Sequence, residues 1–216
     1  EELAALRLAP LEEHKPRTEF LGKIALRDGS RVTGKLVGLT RDRLSFEALN
    51  GQTWTVAADA LAGITFKGGK LVYLSDLKPE SVEEKPYVGG MPVVFRWRRD
   101  QSAAGGPILL HGRRHDKGIG VHSYAKLVYE LGGQYAQFLC EVGLDAAAGP
   151  AGGCAWQVLV DGKTAAEGAA KAGGKPESVK ADVKGARRLT LGCDYGPDDN
   201  DAGDHLDWAN ARLLKP

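Results

Sequence analysis

The chain has 216 residues, with 29 Lys and Arg against 28 Asp and Glu, a formal net charge of +1, and a 43% share of hydrophobic residues. A charge this close to neutral argues against a general nucleic-acid-binding protein, whose phosphate contacts need a concentrated basic face. No apolar run approaches the ~20 residues that a membrane-spanning helix needs, and the 29 glycines favour turns and short strands over long helices.

The first third of the sequence has the pattern of a small antiparallel β structure. Residues 1–16 predict an arm or an edge strand. After them, turns at Asp28-Gly29, Asn50-Gly51 and Gly68-Gly69 separate short extended stretches, and Asn-Gly between such stretches is a strong hairpin signal. The predicted strands are 20–26, 31–38, 44–48, 53–56 and 63–66. So many short strands indicate a strongly bent barrel, and we expect a first domain at residues 1–70.

The segment from Leu26 to Leu39 resembles the opening of Sm-like small barrels, with Gly34 and Gly38 where strands can bend sharply. Sm proteins bind RNA, so the resemblance makes RNA binding a function to consider for the barrel. The barrel core here lacks a loop in which basic and aromatic residues are concentrated. We therefore expect a structural barrel, or one that docks a protein partner, rather than a nucleic-acid-binding one.

Residues 71–216 predict a second, larger β domain. Pro and Gly residues punctuate 71–92, which predicts a connection that begins with a strand at 71–74. From residue 93 onward, turn residues alternate with short extended stretches, and no convincing helix period occurs. The predicted strands are 93–98, 108–110, 118–122, 126–131, 136–144, 154–160, 178–183, 188–193 and 207–214. We expect an antiparallel β-sandwich of the jelly-roll type, which makes the whole chain all-β.

The three cysteines are Cys140, Cys154 and Cys193, an odd number without C-x-x-C spacing. Each lies in or beside an apolar stretch, which predicts small buried residues rather than a zinc or redox site. A disulfide between two of them stays an alternative, and it would leave the third thiol unpaired.

Patterns that could support catalysis or metal binding are weak. His111 and His115 have a spacing that could hold a metal, but Arg113 and Arg114 between them favour an exposed loop. No Ser or Cys lies in a nucleophile motif such as G-x-S-x-G. We expect that the chain is not an enzyme.

Two segments of the second domain together are specific to a family. They are Gly118-Ile119-Gly120-Val121-His122 and Asp204-His205-Leu206-Asp207-Trp208-Ala209. With them, the second domain resembles the NPCBM family of carbohydrate-binding modules. The resemblance implies a non-catalytic β-sandwich that binds sugars, with galactose-containing glycans as the expected class, in a secreted, periplasmic or cell-surface protein. Further matching segments are 127–133, 138–145, 156–163 and 183–189.

Sugar recognition needs an aromatic face for the apolar side of a pyranose and planar polar groups for its hydroxyls. Trp208 or Tyr195 could supply the face. Strict strand alternation puts Trp208 and Asn210 on one side and Asp207 on the other, so these residues cannot all line one pocket. A core position for Trp208, a loop-capping role for Asp207 and a structural role for His122 stay open. The expected ligand-binding residues are His122, Tyr195, Asp204, His205, Asp207, Trp208 and Asn210.

The segment from Cys193 to Ala211 contains six Asp and no Lys or Arg. Such a cluster of carboxylates is unfavourable unless water or a cation neutralises it. Calcium is the cation that suits several oxygens in a flexible loop, and its expected ligands are Asp198, Asp199 and Asp201. A solvated acidic loop without a metal is the alternative.

The main alternative function is a structural or protein-interaction module that has kept the sandwich and lost sugar binding. The expected partners are therefore a carbohydrate at the second domain and, in the alternative, a protein that docks on the barrel. The sequence does not determine the particular glycan or the oligomeric state.

Overall fold

The computed structural model describes residues 19–216, and the predicted arm or edge strand at 1–16 lies outside the described residues. The chain divides into two compact units, which meet in sequence between Gly69 and Lys70. Each unit has a hydrophobic core of its own.

The first unit is an antiparallel sheet of five strands in the order β4-β3-β2-β1-β5. Ile24, Leu44 and Phe46 are buried and form its core. They alternate with exposed residues, because successive side chains of a strand point to opposite faces. The strands are β1 (Leu21–Leu26), β2 (Arg31–Leu39), β3 (Arg43–Ala48), β4 (Thr53–Ala57) and β5 (Leu61–Lys67).

Gly34 explains how β2 and β3 approach so closely. A Cβ at this position would collide with the backbone carbonyl oxygen of Glu47. The register between the two strands shifts between Leu36 and Gly38, and such a bulge increases strand bending. No ladder joins β4 to β5 within residues 19–69, so backbone hydrogen bonds do not close this sheet. The Sm-like barrel stays a prediction.

The second unit contains two larger antiparallel sheets and a separate β9–β10 hairpin. One sheet has the order β16-β13-β18-β11-β8, with β6 also paired to β18; the other has the order β15-β14-β17-β12-β7. The strands are β6 (Leu71–Tyr73), β7 (Ser81–Glu84), β8 (Arg98–Arg99), β9 (Ile108–Leu110), β10 (Arg113–His115), β11 (Gly118–His122), β12 (Ala125–Glu130), β13 (Gln137–Leu144), β14 (Gly153–Val160), β15 (Lys163–Lys171), β16 (Glu177–Asp182), β17 (Arg188–Asp194) and β18 (His205–Leu214).

The core of the second unit is formed by the inward-facing residues of both sheets. Leu127 and Val158 come from one sheet, and Phe138 and Trp208 from the other; all four are fully buried. Trp156 meets Trp208 edge to face, with ring centroids 5.9 Å apart. Burying one side chain of this kind stabilises a fold by about 1.5–3 kcal/mol. The two sheets therefore make a β-sandwich, and the jelly-roll connectivity stays a prediction.

Several segments differ from the sequence prediction: β7 and β10 were not predicted, and two further differences have a clear physical reason. A strand was expected at 93–98, but residues 91–97 form a loop, and only Arg98–Arg99 is extended and paired. The backbone N–H of Trp97 donates to the carboxylate of Glu84, so it does not take part in a sheet ladder. Conversely, Lys163–Lys171 forms β15 although its Ala and Gly residues have a low strand propensity. Its backbone hydrogen bonds to β14 stabilise the extended conformation that the local strand propensity does not favour.

The prediction for the cysteines is confirmed: Cys140, Cys154 and Cys193 are all buried and free. Burial raises the pKa of the Cys140 thiol, which leaves it uncharged. Among residues 19–216, no helix has both the length and the apolar character required to cross a membrane.

Candidate functional site

A pocket of about 270 Å³ lies beside the C-terminal end of β11 in the second unit. We call it the aromatic pocket and define it by Tyr87, Phe95, His122, Tyr124 and Asp201, which all line it. Phe95 and Tyr87 are 36% and 44% exposed. The pocket therefore offers aromatic surface to the solvent next to a carboxylate and an imidazole.

The β11–β18 ladder brings His122 and His205 to this place. The two residues are directly opposite each other at the ends of their strands, and their ring centroids are 4.9 Å apart. The ring of Phe95 packs against both, with centroid distances of 4.9 Å to His122 and 4.5 Å to His205. On its other side, His122 Nε2 lies 3.8 Å from a carboxylate oxygen of Asp201.

Both imidazoles are kept uncharged at neutral pH. Burial and the neighbouring His205 lower the pKa of His122, and Asp201 offsets this only in part. Burial likewise lowers the pKa of His205. The Nδ1 atoms of both rings are buried and have no hydrogen-bond partner among residues 19–216. A neutral imidazole can donate from one nitrogen and accept at the other.

Tyr195 lies at the edge of the same region. Its ring meets that of Tyr87 edge to face at a centroid distance of 5.2 Å, and its pKa is raised mainly by burial and further by Asp194. Of the residues expected from the sequence, His122, His205 and Tyr195 are thus brought together. Tyr87, Phe95 and Tyr124 were missed, because no sequence motif marks an aromatic residue that reaches the pocket from a loop or a turn.

Asp204 is fully buried and is part of the scaffold. Its Oδ2 accepts a hydrogen bond of 2.6 Å from Ser123 Oγ, and its Oδ1 accepts one of 2.9 Å from the backbone N–H of Gly153. These contacts tie the start of β18 to the β11–β12 turn and to β14. The prediction that Asp204 contacts a ligand is corrected, because both of its oxygens point to protein donors.

Asp207 and Trp208 are also fully buried, each with 0% exposure. Asp207 is placed opposite Gly120 and Gly143 in the ladders of β18 with its two neighbours. Burial and the adjacent Asp145 raise its pKa well above the ordinary range, so it is held as a neutral acid. Neither side chain reaches the surface, and their expected contacts with a sugar are corrected to core positions.

Asn210 breaks the strict alternation expected along β18. Its φ of 51° marks a bulge, and the register of β13 against β18 shifts at this point. As a result Ala211 returns to the same core as Trp208. The side chain of Asn210 lies 3.0 Å from His115 Nδ1, and His115 is buried rather than in the exposed loop that was expected. Asn210 therefore serves the fold.

The three expected calcium ligands do not converge. A carboxylate oxygen of Asp198 accepts a hydrogen bond from Asn200 Nδ2 at 2.7 Å, Asp199 is exposed, and Asp201 faces His122. Across residues 19–216, no group of three or more His, Cys, Asp or Glu is arranged to hold a metal ion. Calcium binding therefore stays a prediction from the sequence.

Two packed antiparallel sheets with a pocket among the connecting loops define the second unit as a β-sandwich module. The chain belongs to the NPCBM/NEW2 domain family, whose model matches residues 70–214. The resemblance inferred from the two motifs is confirmed. No curated protein matches the sequence.

Solved structures of carbohydrate-binding modules are similar to this chain. The CBM51 from Clostridium perfringens GH95, in complex with methyl-galactose, is 27% identical with a TM-score of 0.59, over 67% of this chain and 99% of that one. A Clostridium perfringens ZmpB structure with the M60 catalytic domain and two CBM51 domains is 30% identical with a TM-score of 0.60. That likeness covers 80% of this chain and 18% of the other.

A more distant similarity concerns the fold alone. The tandem CBM51 modules of Sp3GH98, a family 98 glycoside hydrolase from Streptococcus pneumoniae SP3-BS71, are 15% identical with a TM-score of 0.55. The similarity covers 91% of this chain and 71% of the other.

Proposed function

We propose that the second unit is a non-catalytic module that binds a terminal sugar residue of a galactose-containing glycan in the aromatic pocket. The observation that carries the proposal is the arrangement of Phe95, His122 and Asp201, an exposed aromatic ring beside a neutral imidazole and a carboxylate. A 27% identical module crystallised with methyl-galactose supports the choice of sugar.

The chemistry of the aromatic pocket suits a pyranose. The C–H face of the sugar can pack on Tyr87 or Phe95, whose rings are partly exposed. Asp201 accepts hydrogen bonds from hydroxyl groups, and the neutral His122 accepts or donates one. Because each contact replaces one with water, the net gain is small, and we expect a dissociation constant of roughly 10 µM to 1 mM.

The same arrangement argues against hydrolysis of the bound glycan. Glycosidases use two carboxyl groups on either side of the scissile bond. Asp204 and Asp207, the two carboxyl groups within the family motif Asp204–Ala209, are fully buried and cannot reach a bound sugar. A glycan-binding role suits a protein outside the cytoplasm, and we place it as secreted, periplasmic or at the cell surface.

The proposal is tested with a glycan panel followed by titration calorimetry with methyl-galactose. We expect retention of at least one galactose-containing glycan. Phe95→Ala and His122→Ala should weaken binding by at least ~10-fold, a loss of about 1.4 kcal/mol. Trp54→Ala is the matched control, since Trp54 is a half-exposed aromatic residue of the first unit. Full binding by both pocket variants, or no retained glycan, contradicts the proposal.

A second candidate is a protein-interaction module that has lost sugar binding. Several apolar side chains in the loop beside the pocket are exposed, with Val88 at 61%, Met91 at 60% and Val94 at 76%. The first unit also exposes Leu39 and Trp54, where a protein partner could dock. This candidate function requires that no glycan binds to the folded protein. It also requires that the isolated first unit retains a protein partner in a pull-down experiment.

A further inference from the structure

A second cleft, of about 430 Å³, lies on the outer face of the sheet β15-β14-β17-β12-β7. This volume is within the range of small-molecule sites in proteins, ~300–1,000 Å³. We call it the sheet cleft. No residue of the two motifs Gly118–His122 and Asp204–Ala209 lines it, and its lining combines Lys126, Gln157, Glu167 and Asp194 with apolar surface.

Opposing residues on successive strands form one polar row across this cleft. Gly192 of β17 is opposite Lys126 on one side and Gln157 on the other. Beyond them, Lys126 is opposite Glu83 of β7, and Gln157 is opposite Glu167 of β15. Residues directly opposite in an antiparallel sheet share a face, so all four side chains project from the same side.

The missing side chain of Gly192 creates the depression in this row. A Cβ at this position would lie 2.8 Å from Gln157 Cγ and 3.1 Å from Gln157 Nε2. The side chain of Gln157 therefore lies across Gly192, and its planar amide forms the floor of the sheet cleft. An amide in this position can donate to one hydroxyl and accept from the next.

Two polar groups of the row, those of Gln157 and Glu167, are not used within the protein, whereas Glu83 pairs with Lys85. In the part of the chain from residue 19 to 216, neither the amide of Gln157 nor the carboxylate of Glu167 makes a hydrogen bond or ion pair. Gln157 is only partly exposed. Because half-buried polar groups usually have protein partners, a free amide on the floor of a cleft is suited to an external one.

The sheet cleft lies next to the aromatic pocket. Tyr124 lines both of them, and the ammonium group of Lys85 lies 4.9 Å from the centroid of its ring. Among the residues that line the sheet cleft, the carboxylates of Glu167 and Asp194 outnumber the ammonium group of Lys126. A surplus of negative charge favours a neutral, hydroxyl-rich ligand over an anionic one.

We propose that the sheet cleft binds the next sugar residue of a neutral oligosaccharide whose terminal residue occupies the aromatic pocket. Gln157 and Glu167 hold its hydroxyl groups, and the ring passes over Tyr124. This inference rests on the proposed function, because it assigns the first sugar to the aromatic pocket. It adds a preference for oligosaccharides over monosaccharides and against sulfated or uronic acid residues.

The test compares methyl-galactose with galactose-terminated di- and trisaccharides of every linkage, by titration calorimetry on the whole chain. Wild-type protein should bind at least one oligosaccharide ~10-fold or more tightly than methyl-galactose. In the double variant Gln157→Ala/Glu167→Ala this advantage should disappear, because both groups that hold the second sugar are removed. The affinity for methyl-galactose should stay within about twofold, because neither residue lines the aromatic pocket.

Two further variants test the role of Gly192 and provide a matched control. Gly192→Ala should also reduce the oligosaccharide advantage, because the new methyl group displaces the Gln157 side chain. Glu177→Ala removes an exposed carboxylate from β16 of the other sheet and should change nothing. Melting temperatures verify that all variants are folded.

The outcomes separate the two proposals. Two results contradict only the proposal for the sheet cleft. One is binding of methyl-galactose with no gain in affinity from added sugar residues. The other is an oligosaccharide advantage that remains in the double variant. No binding of any glycan by folded wild-type protein overturns the proposed function together with the sheet cleft.

Discussion

His122 and His205 face each other across the β11–β18 ladder with their ring centroids 4.9 Å apart. Protonation of either ring would place a charge in a half-buried aromatic environment, and protonation of both would add like-charge repulsion. The pKa of each histidine is accordingly lowered. Both imidazoles are therefore neutral at physiological pH, and His122 lies beside the carboxylate of Asp201.

We predict that this pair makes the protein less stable in mild acid. The unfolded histidines take up protons near their ordinary pKa of 6.5, whereas the folded ones do so only at lower pH. The contribution of the two histidines to the free energy of unfolding is therefore fully present above pH 6.5. It decreases as the pH drops below that value, until the folded-state pKa is reached. Thermal melting between pH 7.5 and pH 5 measures this dependence.

The variant His205→Gln provides the comparison, and exposed His111→Gln serves as its matched control. The first should flatten the fall in melting temperature below pH 6.5, while the second should leave it unchanged. An identical pH profile for wild type and His205→Gln contradicts the prediction.

Asp207→Asn should be neutral or stabilising at pH 7. The raised pKa of Asp207 means that the folded state keeps a proton that the unfolded state releases above its ordinary value of 3.8. Asp207 therefore contributes a loss of stability as the pH rises from 3.8 toward the folded-state pKa. An amide of the same shape removes this contribution. Chemical denaturation of both proteins at pH 5 and pH 7 tests this, and a large loss at both values would show an ionised Asp207.

Trp208→Ala should lower the free energy of unfolding by about 3–5 kcal/mol, because it leaves a large cavity between the sheets. Trp208 has 0% exposure and packs on Trp156. Urea denaturation measures the change. Phe95→Ala, at a 36% exposed position, should cost much less. A Trp208→Ala variant of wild-type stability would show that the indole is not a core residue.

Calcium binding by the acidic segment is tested with a chelator. If Asp198, Asp199 and Asp201 hold the ion as the sequence predicts, removal of calcium must lower the melting temperature, since ligand binding to the folded state stabilises it. Equal melting temperatures with EDTA and with added calcium would contradict the prediction. A higher value with calcium would establish the site.

Most strands of the fold were predictable from the sequence alone. Leu127 and Val158 occupy alternating apolar positions, and turn residues such as Asp161-Gly162 stand between the strands. Both signals are local, because they come from the side-chain period of a strand and from the backbone preferences of Gly and Asp. Lys163–Lys171 escaped prediction because its extended conformation depends on a partner strand.

The candidate site was predictable only in part. His122 and His205 were found through the family motifs, but Asp204, Asp207 and Trp208 lie in the same motifs and are buried. A family motif marks positions important for the fold and for the ligand without distinguishing them. The bulge at Asn210 also reversed the expected faces of the part of β18 that follows it. No local sequence pattern predicts this bulge.

The sequence by itself determined the all-β character, most of the strand positions and the family, since these depend on residue types at short spacing. Only the tertiary structure decided which polar residues reach solvent. Phe95 meets His122 and His205 at distances of 4.9 and 4.5 Å, and Glu83 shares a row with Glu167, although each pair is far apart in the chain. Such contacts arise from strand pairing and sheet packing, which join segments that are distant in sequence. The local sequence of one segment does not show which other segment it will contact.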